Sequence, residues 1–100
     1  MSERDGVNIN AVIEQIETVL RAHDLPGKHP GVLRSLETLI SQLVDHDIAT
    51  DKCADLRAIA RRFYASDRTR EMSEVDYDHN WMIGCVVSMQ MHVAMLKYQN

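Results

Sequence analysis

Residues 72–98, MSEVDYDHNWMIGCVVSMQMHVAMLKY, decide the fold prediction for this chain. Apolar side chains recur along this stretch at two positions of a seven-residue repeat, the spacing of a helix that packs against other helices. One position holds Val75, Met82, Met89 and Leu96, and the other holds Met72, His79, Val86 and Val93. The stretch therefore predicts a long C-terminal helix, over about residues 74–97, with one side in a helical core.

Three shorter helical patterns precede it. Asn8 or Asn10 can cap the first of them, and the segment LPGKHPG, residues 25–31, ends it because prolines and glycines interrupt helices. Pro30 suits the first turn of the second helix, and Thr50 or Asp51 can cap the third. The predicted inward positions are Ile9, Val12, Ile13, Ile16, Val19 and Leu20; Leu33, Leu36, Leu39, Ile40, Leu43 and Val44; and Cys53, Leu56, Ile59, Ala60 and Phe63.

The fold prediction is all-α, a small bundle of about four helices in one domain over residues 1–100, in which residues 1–7 are frayed. A length of 100 residues and an apolar content of 45% suit one hydrophobic core. The two cysteines are far apart in the sequence and lack a CxxC pattern, which favours buried free thiols in a reducing compartment. Without an apolar signal segment near residue 1, we expect the cytoplasm.

The C-terminal helix is apolar beyond its inward side. Trp81, Met91, Met95 and Tyr98 lie away from the repeat, and a membrane span is excluded because Gln90 and His92 interrupt a stretch that is already short. Methionine adapts to varied partners, while tryptophan and tyrosine are enriched at interface hot spots. The four residues are therefore predicted to contact a partner, either a second copy, giving a homodimer through this helix, or a larger protein.

Acidic residues precede the same helix. The set Glu71, Glu74, Asp76 and Asp78 could imitate a phosphate backbone and occupy the basic groove of a nucleic-acid-binding protein. These four acids are predicted as further partner-binding residues. The alternative is that they favour the helix N-terminus and keep the protein soluble.

Arginines cluster over the third helix and the segment that follows, at Arg57, Arg61, Arg62, Arg68 and Arg70. They give the alternative function, a helical DNA-binding transcriptional regulator that uses the face of Arg57, Arg61 and Arg68. Three features oppose it. The 45–50 turn is longer than in a helix-turn-helix, Asp51 and Asp55 occupy the end that would approach DNA, and the net charge is −4. Nucleic acid is therefore an unlikely partner, and a salt-bridged surface is favoured.

Catalytic and metal-binding motifs are missing from the sequence. There is no GxSxG, phosphate loop or HExxH, and the histidines form no HxxH or HxxxH pair. Cys85, Met89 and His92 share a side of the last helix, but packed residues are the favoured interpretation there. His79, a polar residue within the repeat, is expected to fix helix register. We therefore predict no cofactor, no metal and no enzymatic activity.

Together these observations predict a non-enzymatic inhibitor or regulator that binds a larger protein stoichiometrically. In size, acidity and absence of catalytic motifs the chain resembles small inhibitors and anti-activators of phages and bacteria, anti-CRISPR proteins among them. The resemblance is one of general character and rests on no specific motif, so it implies a mode of action and no site residue.

Overall fold

The computed structural model describes residues 8–25, 27–65 and 72–98; side chains are described within these ranges except those of 72–76, 97 and 98. This part of the chain contains four α-helices: α1 (Ile9–Ala22), α2 (Pro30–Asp45), α3 (Thr50–Ala65) and α4 (Met72–Tyr98). The prediction of an all-α bundle with a long C-terminal helix is confirmed. With 27 residues, α4 is about 40 Å long and clearly exceeds the other three helices.

The helix ends follow local chemistry. Asn8 caps α1, because its side-chain oxygen accepts a hydrogen bond from the Ala11 N–H at 3.2 Å. Pro30 begins α2, where its missing N–H costs no helical hydrogen bond. Helix α3 begins at Thr50 itself, so neither Thr50 nor Asp51 lies in the capping position that we predicted. The 1–7 segment, predicted to be frayed, lies outside the described residues.

The helices form a closed ring in which each contacts two neighbours, in the order α1, α2, α3, α4 and back to α1. Helix α4 runs antiparallel to α1: His79, near its start, contacts Leu20 at the end of α1, and Gln90 further along contacts Glu17. With short connections at 23–29 and 46–49, the arrangement is an up-and-down four-helix bundle.

The core contains one stripe of side chains from each helix. Its buried members are Val12, Ile13, Ile16 and Leu20 of α1, Leu36, Ile40 and Leu43 of α2, Cys53, Leu56, Ile59, Ala60, Phe63 and Tyr64 of α3, and Met82, Cys85, Val86, Met89 and Val93 of α4. The predicted inward positions of α1 and α3 all lie in or against this core. Val44 was wrongly predicted inward and is exposed at the end of α2.

Tyr64 is a large core residue that the pattern missed. Its ring is fully buried, packs edge-on against Phe63 at 4.9 Å between centroids, and its hydroxyl donates a hydrogen bond to the His23 carbonyl. The 23–29 connection adds two further bonds to the end of α3, from Gly27 N–H to Phe63 O and from His29 N–H to Tyr64 O. The connection therefore satisfies carbonyls that the end of a helix leaves without intrahelical partners.

The 46–49 connection turns tightly without glycine. Asp47 and Ala49 both adopt left-handed backbone conformations, with φ of 56° and 45°, and the buried Ala49 carbonyl accepts from the Cys53 N–H. Left-handed geometry is unfavourable for residues that carry a Cβ atom. The surrounding helices therefore hold this turn in place.

Burial of Tyr64 has a consequence at alkaline pH, because desolvation raises its pKa to about 12 from an ordinary value of 10.0. The folded-state pKa lies above the unfolded one, so this contribution to stability is complete below pH 10 and is lost as pH rises through 12. Between pH 9.5 and 11.5 we expect the parent protein to lose about 2 kcal/mol through this group.

Urea unfolding at the two pH values measures the effect, with Tyr64→Phe as the control. The variant should be less stable by about 1 kcal/mol at pH 9.5 because the bond to His23 is lost. Its further loss by pH 11.5 should be smaller than the parent's. The burial-raised pKa values of Cys53 and Cys85 act in the same direction and cancel in the comparison. Equal pH slopes would contradict the assignment.

Candidate protein-binding face of the C-terminal helix

The inward side of α4 holds the bundle together. Met82, Val86, Met89 and Val93 of the predicted repeat are all buried, which confirms the side of α4 that faces the core. His79 belongs to the same repeat, and its Nε2 atom donates to the Leu20 carbonyl at 2.8 Å. Its polar group is thus used within the chain, at the contact between α4 and α1.

The opposite side of α4 is an exposed stripe, which we call the outer face. It consists of the exposed residues Tyr77, Trp81, Gly84, Met91 and Met95 together with the half-buried Ser88. The exposed fractions of its large members are 61% for Tyr77, 47% for Trp81, 61% for Met91 and 59% for Met95. Tyr77 and Trp81 form one apolar pair, and Met91 and Met95 form a second pair about 15 Å further along the helix. Large exposed apolar side chains on one side of a helix are typical of an interaction site.

Aromatic side chains occupy the N-terminal end of the outer face. The rings of Tyr77 and Trp81 meet edge-on, with centroids 5.4 Å apart. Trp81 also lines two shallow grooves between α3 and α4, one of about 290 Å³ beside Asp55 and Ile59 and one of about 330 Å³ beside Lys52. A partner side chain lying against Trp81 would therefore have space on either side.

Three of the predicted partner-binding residues, Trp81, Met91 and Met95, are thus exposed together. Tyr98 ends α4, and its side chain lies outside the described ones. Tyr77, Gly84 and Ser88 were missed by the sequence analysis. They are spaced from Trp81 and Met91 by alternating steps of four and three residues, and this spacing could have identified them. The stronger inward repeat of the same helix obscured it.

Asp78 is the member of the acidic set whose side chain the structure describes. Asp78 is buried, and its carboxylate accepts two hydrogen bonds from the Arg62 guanidinium, at 2.8 Å from Nη2 and 3.2 Å from Nε. The prediction that Asp78 contacts a partner is corrected accordingly, because this side chain joins α3 to α4. Glu71 lies outside the described residues, as do the side chains of Glu74 and Asp76.

The structure also changes the interpretation of the arginine cluster. Arg61 contacts Glu37 of α2 at 2.7 Å, and Arg62 bonds Asp78, while Arg68 and Arg70 lie outside the described residues. The argument from turn length was wrong, since the 46–49 turn is as short as that of a helix-turn-helix.

A different observation opposes a helix-turn-helix. The Arg61–Glu37 contact lies at least two turns from the connection along both helices, so α2 and α3 pack side by side and do not cross steeply. Arg57 is half-buried, and Asp51 and Asp55 are exposed at the start of α3. No feature of the described arginines favours contact with DNA.

Another groove lies between α1 and α2, with a volume of about 620 Å³. Its lining includes Thr18 and Thr38, whose hydroxyls donate to carbonyls of their own helices, Glu14 O and Arg34 O. These two hydroxyl protons are therefore already used within the helices.

The proposed soft-ligand set is divided by the packing, since Cys85 and Met89 are buried and His92 is exposed. Among the described residues, no three His, Cys, Asp or Glu side chains are grouped to hold a metal ion. Both cysteines are free and buried, as predicted. Within the same residues, no helix has the length and apolar character needed to cross a membrane.

Comparison with known proteins adds no relative. No protein-family model, curated protein or solved structure matches this chain. Proposals about its function therefore rest on the chain's own residues, and first on the outer face of α4.

Proposed function

We propose that the protein is a non-enzymatic inhibitor or regulator that binds a larger protein stoichiometrically, and that the outer face of α4 makes the contact. The observation that carries the proposal is the exposure of Trp81, Met91 and Met95 on a helix whose other side fills the core. The buried thiols Cys53 and Cys85 suit a reducing compartment such as the cytoplasm.

The chemistry of the face supports binding to a protein. Tryptophan and tyrosine give large contact areas with little loss of side-chain entropy, and unbranched methionine adapts its shape to the opposing surface. No charged residue lies between positions 79 and 96, so a partner need not desolvate an ion on α4 itself. An apolar groove or an amphipathic helix on the partner is the complementary surface.

An affinity pull-down followed by mass spectrometry tests the proposal, with the full chain as bait. The double variant Trp81→Ala/Met91→Ala should lose the partner, because truncating an interface tryptophan typically costs about 2 kcal/mol or more, roughly 30-fold in affinity. The matched control is Leu25→Ala/Val44→Ala, which removes two exposed apolar side chains away from α4 and should retain the partner. Circular dichroism confirms that both variants fold.

Loss of the partner in both double variants, or in neither, would contradict the assignment of the face. A third variant, Asp51→Asn/Asp55→Asn, tests the exposed acids near the start of α3. If the larger protein is a nucleic-acid-binding complex that recognises acidic side chains, this variant should weaken binding. Binding by the parent should then also weaken with increasing salt.

A further inference from the structure

The outer face continues as a second seven-residue repeat. Positions 77, 81, 84, 88, 91, 95 and 98 alternate steps of four and three residues, the spacing of a coiled-coil seam. The inward repeat of α4 already packs against α1 and α3. Between Tyr77 and Met95 the second repeat, about five turns long, therefore stays largely exposed, with Trp81 and Ser88 partly covered beside α3.

We propose that two copies of the chain pair through this seam, with their α4 helices antiparallel. The inference rests on the proposed function, because it concerns the same outer face and states what covers that face when no larger protein is bound. A second copy is the occupant for three reasons. The order of side chains along the seam and the glycine near its centre are both self-complementary, and the seam carries no charged side chain that would repel its copy.

The order of side chains favours an antiparallel pair. Bulky aromatic residues, Tyr77 and Trp81, lie at the N-terminal end of the seam, and flexible methionines, Met91 and Met95, lie at the C-terminal end. With the two-fold axis near the middle, the aromatic end of each helix lies against the methionine end of the other. Sulfur–aromatic contacts are favourable, and the opposed helix dipoles attract. A parallel pair would instead place tryptophan opposite tryptophan.

Gly84 supplies an independent observation. It lies inside a long helix, where glycine is unfavourable relative to alanine, and a Cβ atom added there would meet nothing within 4 Å. The described bundle therefore gives no steric reason for glycine at this position. Close approach of a second helix would give one, since small residues at Gly84 and Ser88 let two backbones come near each other at the centre of the seam.

The available area agrees with a reversible dimer. Taking about 200 Å² as the surface of one large side chain, the exposed fractions of the four large residues amount to about 450 Å² per copy. Two copies thus supply about 900 Å² before backbone and small side chains are added, near the lower limit for specific interfaces. We expect a dissociation constant of about 10–100 μM, and an association that strengthens with salt because each copy carries −4.

Sedimentation velocity from 5 to 300 μM tests the pairing. The parent should shift from monomer to dimer across this range, and Gly84→Leu should remain monomeric because leucine prevents close approach while favouring the helix itself. Trp81→Ala should weaken association at least tenfold. Ser41→Leu, which adds the same side chain on the exposed side of α2, is the matched control and should dimerise like the parent.

Orientation is tested with single cysteines and a short bis-maleimide. A mixture of Tyr77→Cys and Met95→Cys proteins should form mixed cross-links more efficiently than either protein alone, and Cys53 and Cys85 are buried and should not react. Preferential cross-linking of each variant with itself would overturn the antiparallel orientation. A parent that stays monomeric at 300 μM, or a Gly84→Leu variant that dimerises normally, would overturn the pairing.

The two proposals can be contradicted independently of each other. If the parent is monomeric but captures a larger protein that Trp81→Ala/Met91→Ala loses, the proposed function stands and the dimer is wrong. If it dimerises and Trp81→Ala/Met91→Ala still captures the larger protein, the dimer stands and the contact with that protein lies elsewhere.

Discussion

A Val86→Asp variant is expected to be largely unfolded in water, whereas Val87→Asp should fold like the parent. Val86 is buried with 1% of its surface exposed, and Val87, the next residue, is 44% exposed. A carboxylate at position 86 would replace apolar contacts between α4 and the core, costing about 4 kcal/mol or more. That loss approaches the whole stability of a small domain, roughly 5–15 kcal/mol.

The pair of variants is well matched, because residue type, substitution and helix are the same. Val87→Asp should change the free energy of unfolding by no more than about 0.5 kcal/mol. Far-UV circular dichroism and urea titration measure both variants. Similar losses in the two proteins would mean that α4 is rotated about its axis from the orientation described here, and the outer face would then have to be assigned again.

Arg62→Met is expected to lower the free energy of unfolding by about 3 kcal/mol, because it breaks a pair whose acidic member is buried. The Asp78 side chain is only 4% exposed, and it would lose two charge-assisted hydrogen bonds while remaining in the interior. Methionine keeps most of the arginine stem, so packing is largely retained. For a domain of this size the melting temperature should fall by about 15 °C.

Arg61→Met is the control, since Arg61 forms an exposed pair with Glu37 and surface pairs contribute at most about 1 kcal/mol. A double variant, Arg62→Met/Asp78→Leu, should recover most of the lost stability, because leucine at position 78 removes the buried carboxylate that Arg62 binds. Thermal and urea unfolding distinguish the three proteins. Equal losses for Arg61→Met and Arg62→Met would show that the burial of Asp78 adds little to the free-energy cost of breaking its ion pair.

The sequence predicted the architecture because helical periodicity is local information. The inward repeat of α4 identified Met82, Val86, Met89 and Val93, and the LPGKHPG segment located the gap between α1 and α2. Burial of Tyr64 was not predictable in the same way. Its hydroxyl donates to the carbonyl of His23, just after α1, and this contact joins residues far apart in the chain.

The candidate site was only partly predictable, because it also depends on contacts between helices. An acid near the start of a helix usually favours the helix dipole, and only the position of Arg62 on a different helix shows that Asp78 turns inward. The outer face was present in the sequence as spacing, but the stronger inward repeat of the same helix obscured Tyr77, Gly84 and Ser88. Packing of α1 and α3 against α4 decides which side of the helix is buried.

The ring order of the helices also bears on how the chain reaches this structure. Among the described residues, three of the four helix interfaces join helices that follow one another along the chain, and α1 with α4 is the exception. Folding rates fall as contacts span more sequence, and local helical topologies fold fastest. Each helix can therefore dock on its predecessor at small entropic cost, and most of the loop-closure entropy falls on the single step in which α4 meets α1.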